Sequence, residues 1–169
     1  MDTISKNSIM FIGLANEYCN LVENSEDFEK EQFVEQMLKI LPRIYISASD
    51  LELPIYEDSL YIEPRLEEVY YDSVRRNMER ILGEDDTVLE AFEEDMKFSD
   101  TPIAVSISEY LADIFQDLYN FVHSVKDAPQ SHINDFLCVC KENFDAYWGQ
   151  KLCNALRALH AVKYNSNNY

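Results

Sequence analysis

Glycine is scarce in this 169-residue chain, at three positions, and proline occurs five times. An all-β fold needs turn residues at every strand end, so the shortage excludes one and predicts long helices with few breaks. Phosphate-cradling and nucleophile-elbow loops are missing too, since no G-x-x-x-x-G-K-[ST], G-x-G-x-x-G or G-x-S-x-G occurs. No segment approaches the ~20 apolar residues of a membrane span. The N-terminal stretch to Cys19 has one lysine, is broken by Asn16 and Glu17, and lacks a convincing cleavage site. It reads as a first helix rather than a secretory signal.

Metal-binding and redox patterns are absent as well. Cys19, Cys138, Cys140 and Cys153 form no C-x-x-C. Cys138 and Cys140, two apart in a helical pattern, point about 200° apart and cannot chelate one ion. Reduced thiols filling core space in a cytoplasmic protein are expected. His123, His132 and His160 make no H-x-x-x-H or E-x-x-H pair, so neither a metal nor a cofactor is expected.

Basic residues are the remaining shortage. Fourteen Lys and Arg stand against 32 Asp and Glu, a net charge of −18, and −12 of it falls in residues 50–100. Such a field repels phosphate backbones and anionic headgroups, which excludes direct binding to nucleic acid or membrane. It serves solubility alone, or it attracts a basic protein partner.

What the chain does contain is apolar periodicity. Hydrophobic residues make up 47% and aromatics 12%, enough to exclude a disordered chain. Helical spacing predicts a first helix over 5–24 and a second over 28–47, with a kink or restart at Pro42. Residues 48–64 read as a connector. A third helix follows from Arg65 to Leu82, with Gly83 as its C-cap. Residues 84–104 fit a short acidic helix or irregular chain across the core. A fourth helix starts near Ser106 or Ser108, where Ser106 and Glu109 have the capping-box form, and runs to Lys126. The last helix spans 131–164, with Gly149 tolerated at a cost of ~1 kcal/mol. The expected fold is all-α, a single-domain bundle of about five main helices over 1–164 with a frayed tail at 165–169.

Two helices carry the polar candidates. In the fourth, Glu109, Asp113 and Asp117 are spaced by four and share one face, either a solvated acidic face or part of a cation site. In the last, Gly149, Cys153 and His160 lie on one edge of the apolar stripe with Arg157 beside them. Asp113 or Asp117 is a natural partner for Arg157 if the helices pack, as a structural salt bridge or as a site. The candidate polar site is therefore Asp113, Asp117, Arg157 and His160.

The segments 106–118, from Ser106-Ile107-Ser108-Glu109-Tyr110 to Asp117-Leu118, and 148–160, including Trp148-Gly149 and Asn154-Ala155-Leu156-Arg157-Ala158-Leu159-His160, carry a resemblance. They are similar to a family of small bacterial proteins known only as a domain of unknown function, with members in Bacteroides-like bacteria and actinobacteria. The resemblance implies an all-helical fold over nearly the whole chain and supplies no activity, cofactor or partner. The leading expectation is a protein-interaction module docking a basic partner through residues 50–100. The alternative is a metal-binding protein or enzyme with a polar site between the fourth and last helices.

Overall fold

Helices begin and end in this protein where a side chain or a turn can satisfy orphan backbone groups. The computed structural model describes residues 3–53, 61–90 and 101–165. α1, Lys6–Glu23, begins at Ser5, whose hydroxyl accepts from the Ser8 N–H at 3.0 Å, and stops at Asn24. α2, Lys30–Ser49, opens on a reciprocal cap between Glu29 and Gln32. It runs through Pro42 without the restart that the sequence suggests. Proline removes one hydrogen bond there, while buried Met37, Leu41, Ile44 and Ala48 on both sides hold the helix against its neighbours.

α3, Glu68–Leu82, starts three residues later than predicted. Ahead of it, Asn120 of the fourth helix accepts through Oδ1 from the Arg65 and Leu66 backbone N–H groups, each at 2.8 Å, and ties this segment to that helix. Gly83, at φ +58°, ends α3 as expected.

Beyond it the sequence reading misses a strand pair. β1, Thr87–Glu90, lies antiparallel to β2, Ile103–Ser106, with Thr87 opposite Ser106 and Glu90 opposite Ile103. β-branched Thr87, Val88, Ile103 and Val105 suit a pleated, half-buried ribbon better than a helix. Residues 91–100, with the predicted apolar positions Ala91, Phe92 and Met96, lie outside the described residues. So do 54–60 of the connector and 166–169 of the predicted tail.

α4, Ile107–Asp127, is the centre of the fold, packed by α1, α3 and both halves of the C-terminal helical run. Its cap is not the predicted one. Ser106 makes no side-chain bond to the helix N–H groups. Buried Asp86, from the turn after α3, instead accepts from Ser108 N at 2.7 Å and Ser108 Oγ at 2.8 Å. A carboxylate there meets one orphan backbone donor and a buried hydroxyl, and it sits at the positive end of the helix dipole.

The C-terminal run comprises α5, Ile133–Asn143, a π-helical turn at Phe144–Trp148, and α6, Gly149–Asn165. Gly149 is required rather than tolerated. A Cβ at this position would lie 2.6 Å from the Phe144 carbonyl oxygen and 2.9 Å from its ring. Trp148 is fully buried and donates from Nε1 to the Cys140 carbonyl at 3.3 Å, which fixes the widened turn. Phe11, Tyr18, Phe33, Phe115 and Phe121 fill the core around it. Tyr18 ties α1 to α4 by donating to the Leu111 carbonyl at 2.7 Å. With α5, the π turn and α6 taken as one run, this is the expected bundle of five main helices. No described helix is long and apolar enough to cross a membrane.

Candidate functional site

α4 buries its apolar side and leaves Glu109, Asp113, Gln116, Asp117 and Asn120 outside the core. Asp113 is the hub of a polar cluster assembled from four elements. Tyr71 on α3 donates its hydroxyl to Asp113 Oδ1 at 2.6 Å. Lys151 on α6 places its Nζ 3.8 Å from Asp113 Oδ2. The same ammonium lies 5.4 Å from the ring centroids of both Tyr110, on α4, and Tyr147, in the π turn. A cation between two aromatic faces and a carboxylate is held by ring quadrupoles and by charge together.

The tyrosines and Asp117 titrate accordingly. Burial, then the hydrogen bond and charge of Asp113, push the Tyr71 phenol up, so it stays a donor across the physiological range. Tyr147 rises to about 12, first by burial and then by the charge of Asp113 and a hydrogen bond to it. Asp117, one helical turn beyond Asp113, is pushed up to about 6 by burial and then by the Asp113 charge. It has no cation partner among the described residues.

Two recesses flank this cluster. One, of about 150 Å³, is lined by Val105, Ser106, Glu109, Tyr110, Asp113 and Lys151. The other is a groove of about 390 Å³ between the start of α3 and α4, lined by Leu66, Glu68, Tyr71, Asp72 and Gln116. Tyr71 lines the groove and Asp113 the first recess, so their hydrogen bond is the wall between them.

Of the four predicted site residues, the structure brings together Asp113 and Asp117. Arg157 places Nη1 3.4 Å from Oε1 of Glu90, whose side chain is only 4% exposed, and so ties β1 to α6. It lies about 9 Å further along α6 than Lys151, on another side of the helix. His160, about 13 Å beyond Lys151 on the opposite side, is exposed and packs on Tyr164 at 4.6 Å. The basic partner of Asp113 is Lys151, not Arg157. Tyr71, Tyr110, Tyr147 and Lys151 escape the sequence reading. The one available signal is the four-residue spacing of Tyr147 and Lys151, which puts ring and ammonium on one face. Among the described residues no three His, Cys, Asp or Glu side chains come together to hold a metal. Cys153 is exposed and Cys19 and Cys140 are buried, with burial raising all three thiols.

Among the described residues of the acidic region 50–100, the carboxylates do not form one uniform face. Asp85 pairs with Lys30, Asp86 caps α4 and Glu90 holds Arg157, so three of its carboxylates tie the fold together. On α3 the acids Glu68 and Asp72 precede the bases Arg75, Arg76 and Arg80, an order that suits the helix dipole. Arg75 is in turn taken by Glu79, 3.2 Å away, with Asp72 at 4.0 Å. The acidic end of α3 is the end that borders the groove.

Residues 2–165 match a family described as a domain of unknown function, DUF5063. The chain is also similar to protein BF1032 from Bacteroides fragilis, known from a structural-genomics crystal structure. The two share 39% sequence identity, the likeness covers 95% of this chain and 94% of that one, and the TM-score is 0.82. The resemblance carried by segments 106–118 and 148–160 is thereby borne out over nearly the whole length. No curated protein matches.

Proposed function

The chain belongs to the DUF5063 family, and from that premise we propose that it is a protein-interaction module whose α3–α4 face docks a basic partner. The groove between α3 and α4 carries this reading. Glu68 and Asp72 supply two carboxylates, while Leu66 and the Tyr71 ring supply an apolar wall. A lysine or arginine side chain needs both, one for its charged head and one for its methylene stem. Glu68 has no cation partner among the described residues. Val69, 81% exposed, stands on the same acidic end of α3 and offers a partner an apolar contact. The metal-binding alternative has no comparable support, because no ligand set is gathered among the described residues.

The reading is tested with a fluorescent peptide of alternating arginine and serine, titrated by anisotropy at about 20 mM and about 200 mM salt. Binding is expected at low salt and weakens with salt. Glu68→Lys with Asp72→Lys is expected to weaken it about tenfold more than Glu26→Lys with Glu142→Lys, which changes net charge equally at exposed positions elsewhere. Equal effects of the two pairs, or no binding at low salt, overturn the proposal.

A further inference from the structure

We propose that the recess at Asp113 is a second seat for the same partner, an arginine receptor that Lys151 keeps closed from within the chain. The inference rests on the docking reading above and adds to it the chemistry of the second contact and its regulation. The recess already holds a cation. Lys151 is seated 5.4 Å over both the Tyr110 and Tyr147 rings, with Asp113 Oδ2 3.8 Å away. That separation is too long for a hydrogen bond, so the ammonium is retained by charge and ring attraction alone. Asp113 Oδ1 accepts from Tyr71 and Oδ2 is the oxygen nearer Lys151, while Tyr147 also hydrogen-bonds this carboxylate.

An arriving guanidinium suits this seat better than the lysine does. It is planar, stacks on an aromatic face and donates through a fork of N–H groups. Tyr147 is 46% exposed and open to stacking. Glu109 lines the same recess one turn before Asp113, about 6 Å along the helix, so the two carboxylates stand side by side for one fork. Lys151 has a flexible four-carbon stem and can swing away as the guanidinium enters. The Tyr71–Asp113 hydrogen bond separates this seat from the α3–α4 groove, so a segment with two basic side chains reaches both.

Lysine acetylation read by mass spectrometry, with and without the arginine–serine peptide, tests the displacement. Lys151 is expected to react about threefold or more faster with the peptide bound, because it leaves its cage. A slower or unchanged rate overturns the proposal. In the anisotropy assay Lys151→Met is expected to raise peptide affinity about tenfold, and Lys141→Met, an equal change of net charge on α5, distinctly less. Asp113→Asn in the Lys151→Met background should remove the gain, and Glu109→Gln, at an exposed position, serves where the aspartate variant does not fold. A gain from Lys151→Met no larger than that from Lys141→Met, or one that survives loss of Asp113 or Glu109, counts against the seat. Insensitivity to Glu68→Lys with Asp72→Lys strikes at the groove reading instead, so the two failures are told apart.

Discussion

At the scale of single residues, Asp117 is the carboxylate with most to reveal. Its folded-state pKa, about 6, stands above the ordinary aspartate value because it is half-buried, and then because the Asp113 charge is near. The folded state therefore binds the proton more tightly than the unfolded chain. The stability this confers is fully present below about pH 4 and is lost as pH rises through about 6. Asp117→Asn removes the penalty, and urea unfolding at pH 8 should show the variant more stable by on the order of 2 kcal/mol, with little difference near pH 4. Equal stability of the two proteins at pH 8 contradicts the assignment.

Gly149 and Gly13 make a second contrast at this scale. The Phe144 carbonyl leaves no room for a Cβ at Gly149, whereas nothing lies within 4 Å of one at Gly13 on the exposed side of α1. Gly149→Ala should lower stability by about 1–3 kcal/mol through overpacking. Gly13→Ala should raise it by about 0.5–1 kcal/mol, the helix-propensity difference. Thermal unfolding of the two variants checks both signs. From sequence the two glycines look alike, since each falls inside a helical segment. The carbonyl that separates them belongs to a widened turn that a uniform period of 3.6 residues does not contain.

At the scale of elements, the main helices are legible in the sequence because their apolar residues recur at helical spacing and Ser5, Gly83 and Asn24 mark ends. α4 is capped from a distance, and this is where local rules give the wrong residue. Ser106 has the capping-box spacing to Glu109, yet Asp86, 22 residues before Ser108, takes the helix N-terminus. Asp86→Ala is expected to cost about 1–2 kcal/mol in urea unfolding and Ser106→Ala no more than about 0.5 kcal/mol. The reverse order would return the cap to Ser106. The β1–β2 ribbon is hidden for a related reason. Its strands are four residues each and pair across a long connection, so neither shows a period long enough to outweigh a helical reading.

The candidate site follows the same division. Asp113 and Asp117 are found because one helix carries both at a spacing of four. Lys151, Tyr71 and Tyr147 come from three other elements, and their arrival depends on helix packing and on the rotation the π turn introduces before α6. Arg157 has the right chemistry and the wrong helix face, so it reaches Glu90 on β1 instead.

At the scale of the whole molecule, some of the described carboxylates hold the fold and others border the recesses of the proposed docking face. Asp85, Asp86 and Glu90 belong to the first group; Glu68, Asp72 and Glu109 border the two recesses along α3 and α4. Reversing charge in the first group should act on stability, and in the second on association and its salt dependence. The most direct test of a docking face on α3 and α4 is backbone-amide chemical-shift mapping during titration with the arginine–serine peptide. The account predicts that the shifted amides cluster at 66–72 and 109–117 and that the shifts shrink as salt is added. Shifts centred elsewhere, or spread evenly over the acidic surface, contradict it.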